Sequence, residues 1–172
     1  DSDENKVVYM SFRHLNAFVK TEEFDLDVNA KDGMTTGVEW IAGGHNGTFT
    51  LIDIDGTEYK PGTPDYNQLY DGLGSFWAGQ HNLEYFGDNE FMMFDNAYDM
   101  DNDDFVNPDG SRMLIVEVDE DAMTATLTWE YSMGYNSTIY GDNDRLPTGK
   151  LLGCAWPDKS AIGRGGSRLA AE

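Results

Sequence analysis

The chain has 172 residues, 40% apolar and 13% aromatic, which is enough for one real core and excludes a disordered chain. Eleven Lys and Arg against 32 Asp and Glu give a formal charge of -21, so the surface repels phosphate backbones and anionic headgroups; neither nucleic acid nor membrane insertion is expected. No stretch approaches the roughly 20 apolar residues of a membrane span, and Cys154, the single cysteine, excludes an internal disulfide and a Cys-based metal cluster.

Short β-type runs recur between Gly, Asn, Asp and Pro clusters, and no window keeps apolar residues at helical spacing for three turns, so an all-β chain is expected. The opening residues, 1–5, are charged rather than a signal peptide, which fits a mature chain or a part of something larger. Strands are predicted over 7–12, 17–20, 37–41 and 48–52. The Pro- and Gly-rich stretch 57–74 then reads as a long loop, a type that is more often functional than idle. Further strands are predicted over 82–86, 90–94, 112–118 and 124–131, with the acidic turn Asp119-Glu120-Asp121 joining the last two as a hairpin, and over 150–156. The tail, 157–172, carries Lys159, Arg164 and Arg168 among small residues and is expected to be irregular, leaving 1–156 as the folded segment.

Two stretches look alike. Gly37-Val38-Glu39-Trp40 and Leu127-Thr128-Trp129-Glu130 each put a Trp late in a strand ahead of a Gly turn, about two propeller blades apart at roughly 40 to 50 residues per blade. Many short, evenly spaced strands favour a propeller or a sandwich. Asn46-Gly47-Thr48 and Asn136-Ser137-Thr138 fit the N-glycosylation pattern, which makes Asn46 and Asn136 candidate glycan sites and shifts the expected setting towards secretion, extracellular or periplasmic.

Three histidines are the first candidates for chemistry. His14 follows Ser11-Phe12-Arg13 at a strand end, His45 sits in a Gly-rich turn and reads as a turn residue, and His81 follows Gly79-Gln80 at the exit of the long loop, where backbone can approach a ligand. Asp99, Asp101 and Asp103 place oxygen ligands at alternate positions, as a calcium loop does. The sixth-position Gly is replaced by Asp104 and the closing Glu is absent, so the run reads either as a solvated acidic turn or as an irregular calcium site. Cations are scarce, so Arg13 and Arg112 are each read either as holding an anionic group with a planar fork of donors or as bridging to a carboxylate. Phe76, Trp77, Tyr85, Phe86, Phe91 and Phe94 read as core, with Trp77 also a candidate wall of an aryl pocket.

Several motifs stand in the order found in the arylsulfotransferase family. Ser11-Phe12-Arg13-His14-Leu15-Asn16 resembles its S-x-R-x-x-N strand end, and Trp40-Ile41-Ala42-Gly43-Gly44 resembles W-x-x-G-G. Gly79-Gln80-His81-Asn82 with Met93-Phe94-Asp95-Asn96 resembles its QH and FDN, and Ser111-Arg112 its SR. The hairpin strand Thr124-Ala125-Thr126-Leu127-Thr128-Trp129 and the turn Gly141-Asp142-Asn143-Asp144-Arg145-Leu146-Pro147 complete the likeness, which covers roughly 7–156. The resemblance implies a six-bladed β-propeller, of which this chain would supply three to four blades of four-stranded antiparallel sheet. It also implies sulfuryl transfer from an aryl sulfate to a phenol through a histidine, with no cofactor required for transfer. By position His81 and Arg112 take the catalytic places, with Arg13, His14, Trp77 and Asn96 beside the substrate. No His follows His81, although the family's sulfated His lies in a later blade, and the acidic run between Asn96 and Arg112 is an insertion. The alternative is a non-catalytic secreted propeller that binds other protein chains in an extracellular assembly through acidic, calcium-holding loops.

Overall fold

The computed structural model describes residues 7–22 and 37–157. The tail expected over 157–172 lies outside them apart from Pro157. Strand β1 (Val7–Phe12) runs into a 3-10 turn, Arg13–Leu15, that Asn16 ends in the left-handed conformation (φ 51°), one that Asn adopts more readily than most residues. The chain reverses into β2 (Ala17–Glu22), and β3 (Val38–Ala42) pairs with β2 to complete a three-stranded antiparallel sheet. Lys20 on β2 bridges Glu39 of β3 and Glu120 beyond this sheet at 2.9 and 2.7 Å.

The stretch expected as a loop, 57–74, contains short elements instead. Strand β4 (Thr50–Ile52) pairs with β5 (Glu58–Tyr59), and helix α1 (Pro64–Gln68) follows. The helix carries two start signals that were readable in the sequence: Pro64 in its first turn, and the Thr63 hydroxyl accepting the Tyr66 N–H at 3.3 Å.

Strands β6 (His81–Gly87) and β7 (Glu90–Asp95) form a hairpin, as do the two-residue strands β8 (Tyr98–Asp99) and β9 (Asp104–Phe105). The pair β10 (Arg112–Asp119) and β11 (Thr124–Ser132) forms the expected acidic-turn hairpin. In the main sheet the order is β5-β4-β11-β10-β7-β6. Four of its strands thus make an antiparallel meander, and β4 adds to the outer edge of β11 in parallel, Thr50 opposite Thr124. Last come β12 (Gly141–Arg145) and β13 (Leu151–Ala155), an antiparallel pair whose first strand was not expected from sequence. Among the described residues the expected repetition of four-stranded sheets is therefore one antiparallel run of four within a six-stranded sheet, one sheet of three and two of two.

Phe91-Met92-Met93-Phe94 is a continuous apolar run because β7 is buried on both faces. Phe91 and Met93 join Phe18, Trp40, Phe49, Leu51, Trp77 and Leu114 on the face shared with the first sheet. Met92 and Phe94 join Met113 on the other face, against Leu151, Ala155 and Met133. The β12–β13 pair approaches so closely that a Cβ on Gly141 would strike the Phe94 ring, and one on Gly153 the Met113 sulfur. Asn82 Nδ2, donating to the Asn143 carbonyl at 2.7 Å, ties β12 to β6. The two similar Trp segments take different places: Trp40 is core on β3, whereas Trp129 is half-buried on β11 and stacks on Tyr131.

Candidate functional site

His81 opens β6, and the segment that delivers it is held from both sides. From the β1–β2 turn, Asn16 Oδ1 accepts the Gly79 N–H at 2.9 Å and Arg13 Nε donates to the Gly79 carbonyl at 3.1 Å. Gln80 Nε2 donates to Ser11 Oγ at 3.2 Å and to the carbonyls of Phe12 and Ala17 at 3.3 and 3.0 Å. The S-x-R-x-x-N spacing thus has a physical meaning here: its three polar residues cradle Gly79 and Gln80. From the end of β7, Asp95 Oδ1 accepts the Ala78 N–H at 2.8 Å. Gly79 sits at φ +63°, and a Cβ there would lie 2.8 Å from the Tyr98 carbonyl, so only glycine fits without a shift.

His81 Nδ1 lies 2.5 Å from Asn96 Oδ1. Asn96 is fully buried and its Nδ2 donates to the Ser137 carbonyl at 2.6 Å, so the amide's hydrogens are directed away and its oxygen faces the ring. An amide oxygen only accepts. The ring nitrogen facing it therefore carries the hydrogen, which leaves the lone pair on Nε2. Burial lowers the His81 pKa; the Asn96 hydrogen bond and one to the Gly79 backbone work against burial, and the Arg13 charge adds to the lowering. The net direction is downward, so the imidazole is neutral near pH 7. Ser111 braces the partners: its Oγ donates to the Asn96 carbonyl at 2.9 Å and accepts the Ser137 N–H at 2.8 Å.

Arg13 is half-buried beside this ring. Its Nη2 donates to the Thr138 carbonyl, Nε is taken by Gly79, and Nη1 has no partner among the described residues. Burial lowers its pKa from an ordinary value so high that the guanidinium stays charged.

Arg112 does not join this group. In the register His81 opposes Phe94 while Arg112 opposes Asp95, the next residue, so the two side chains leave the sheet on opposite faces. Arg112 Nε donates to Asp95 Oδ2 at 3.0 Å, its Nη1 to Glu130, and its Nη2 to the Tyr70 hydroxyl and the Phe76 carbonyl. Burial alone would lower the Arg112 pKa, but Asp95, Tyr70 and Glu130 outweigh it and hold it above its ordinary value. The carboxylate-bridging reading of Arg112 is the one its geometry fits.

The remaining expectations separate in the same way. Trp77 is fully buried against Phe18, ring centroids 5.5 Å apart, so it is core rather than the wall of an aryl pocket. His14 is exposed in the 3-10 turn with no side-chain partner among the described residues, and Asn96 orients His81. Asp99 is buried and caps its own turn, Oδ1 accepting the Asp101 N–H at 2.9 Å and Oδ2 the Asn102 amide at 2.6 Å. Exposed Asp103 accepts from the Tyr98 hydroxyl. Among the described residues no three acidic, His or Cys side chains converge, and Asp99 and Asp103 are engaged within the turn itself. Asn46 is exposed and Asn136 half-buried. Sequence reasoning missed Ser111, Ser137 and Asp95, which hold the site together. Side-chain parity along 94–96 would have separated Asp95 from Asn96.

What the fold and the site define is an all-β protein that holds one neutral histidine by Nδ1, beside an arginine whose Nη1 has no partner among the described residues. The sequence model of the family described as Arylsulfotransferase (ASST) matches residues 1–155, and the chain belongs to that family. Membership gives it a sulfotransferase-like function in general terms. No curated protein matches the chain.

Proposed function

We propose that this chain forms part of a propeller that transfers a sulfuryl group from an aryl sulfate to a phenol, with His81 Nε2 as the reacting nitrogen. The observation that carries the reading is the Nδ1 contact with Asn96, which leaves a lone pair on Nε2 of a neutral ring. Attack by Nε2 on sulfur forms the N–S bond and breaks the S–O bond, and the aryl oxide leaves. The acceptor phenol oxygen then attacks sulfur, the N–S bond breaks, and the acceptor's proton passes through solvent to the departed aryl oxide. Arg13 Nη1 supplies charged N–H donors for the sulfonate oxygens in both steps. Arg112 is spent on Asp95, Tyr70, Phe76 and Glu130 and takes no part at sulfur.

Support for the propeller comes from chain order. The meanders β1-β2-β3, β6-β7-β10-β11 and β12-β13 follow one another, and their first strands are neighbours, with β1 against β6 and β12 against β6 and β7. Secretion remains our proposal on the two sequons, with exposed Asn46 as the expected glycan site. An endoglycosidase mobility shift that disappears in Asn46→Gln tests it.

The transfer reading is tested with p-nitrophenyl sulfate as donor and a phenol as acceptor. His81→Ala is expected to lower turnover by about 10²–10⁴-fold. Unchanged turnover in that variant removes His81 from the chemistry. Aryl sulfate binding without any turnover in the parent protein favours the binding-module alternative.

A further inference from the structure

Asp95 is fully buried on the face of the sheet away from His81, and the transfer chemistry does not use it. Its Oδ1 accepts two backbone N–H groups, from Ala78 and from Ala97, both at 2.8 Å. Ala78 lies three residues before His81 and Ala97 immediately follows Asn96, so one oxygen grips the two backbone segments that carry the two members of the site. Ala97 is held at φ 52°, a left-handed conformation that is unfavourable for alanine and persists only where its surroundings enforce it. On the other side of the carboxylate, Oδ2 accepts from Arg112 Nε at 3.0 Å and from the Tyr70 hydroxyl at 3.5 Å. The Tyr70 ring lies 5.3 Å from the Arg112 guanidinium, which also donates to the Phe76 carbonyl two residues before Ala78.

We propose that Asp95, braced by Arg112 and Tyr70, is the positioning residue of the site and sets the contact and tautomer of the His81–Asn96 pair from the reverse face of the sheet. The sequence signature of this device is the separation of roles within Phe94-Asp95-Asn96 and Ser111-Arg112. Asn96 and Ser111 face the histidine, while Asp95 and Arg112 lock the backbone behind it. The proposal rests on the reading that His81 acts through Nε2, but its primary measurement does not need turnover.

The experiment compares the imidazole 15N shifts of His81 in the parent protein, in Asp95→Asn and in Tyr70→Phe. Lys20→Met, which breaks the Glu39 and Glu120 bridges rather than a bond of the His81–Asn96 pair, serves as a destabilised control. The parent is expected to hold the single Nδ1–H tautomer, and Asp95→Asn to mix the two tautomers and move the ring's titration towards the ordinary 6.5 or so. Turnover in Asp95→Asn should fall by about 10²-fold through kcat, with KM little changed. A pure Nδ1–H tautomer in folded Asp95→Asn overturns the proposal. So does an equal mixing in Lys20→Met, because general loosening would then be the cause. If Asp95→Asn does not fold, Tyr70→Phe and Arg112→Lys read the same quantity, and an unchanged tautomer in both overturns it. A parent that never turns over aryl sulfates, yet shows the tautomer shift, sinks the transfer chemistry and leaves the positioning role standing.

Discussion

Replacing Arg112 by Met keeps most of the apolar stem and removes the guanidinium, which leaves Asp95 with no countercharge. Both groups are buried, the side chains exposed by 11% and 0%. Breaking such a pair by deleting one partner costs about 3–5 kcal/mol, because the remaining charge is stranded. Asp95 keeps its two backbone N–H donors, so the lower end, about 3 kcal/mol, is the expected loss, a large share of the roughly 5–15 kcal/mol that holds a domain folded. The pH dependence has a definite sign. Burial already raises the Asp95 pKa against the pull of Arg112, so loss of Arg112 raises it further. A carboxylate whose folded-state pKa is raised destabilises while charged, and that penalty is relieved as pH falls through the folded-state value. The gap between variant and parent should therefore narrow as pH falls through the variant's raised folded-state value, with changes in overall charge repulsion affecting both chains alike. Urea unfolding followed by Trp fluorescence, with matched slopes, measures the gap. Asp95→Asn in the Arg112→Met background should recover part of the loss, since neighbouring sites couple by about 0.5–3 kcal/mol. A loss under about 1 kcal/mol, or one that widens on acidification, would refute the stranded-charge argument.

Three further outcomes follow from the geometry. Because the His81 pKa is lowered, the unfolded state binds the extra proton first, so stability should fall as pH drops from about 6.5 through the folded-state value. His81→Gln should remove that part of the slope in urea titrations, and an identical slope would count against the lowered pKa. Gly79→Ala forces a Cβ against the Tyr98 carbonyl at a left-handed position and should destabilise by about 1–3 kcal/mol while loosening the Arg13 contact; a neutral melting temperature would mean the segment relaxes freely. Gly141→Ala pushes into the Phe94 ring and should cost about 1–3 kcal/mol through overpacking, checked by denaturant midpoint, with no change in Cm as the contrary result.

Much of the strand order was legible because burial here follows period 2 or continuous apolar runs. Strand β10 alternates along its second half, and β7 is apolar throughout because both its faces are covered. Strand β12 was invisible, since Gly-Asp-Asn-Asp-Arg has poor strand propensity and is held by pairing with β13 and packing on β6 and β7. His81 stood out from its sequence context, but its partner did not. The Asn96 contact depends on the register of β6 and β7, which is irregular between His81 and Glu84. Arg112 was misplaced for a simpler reason: proximity along the motifs says nothing about which face a side chain leaves, and only the pairing with Asp95 fixes that parity.

The parallel seat of β4 on β11 bears on how the chain acquires its structure. By sequence β4 follows the first meander and can pair at once with β5, yet the partner of its other edge is a strand made much later, so that edge of residues 50–52 has no mate until 124–126 emerge from the ribosome. Non-local parallel pairings form slowly, because loop closure is spent before any contact rewards it. The first and second meanders are thereby joined into one cooperative unit, unlike stacked repeats that nucleate anywhere and propagate. A nascent chain stopped before β11 would show β4 as an unsatisfied edge, which is a natural point of capture for chaperones.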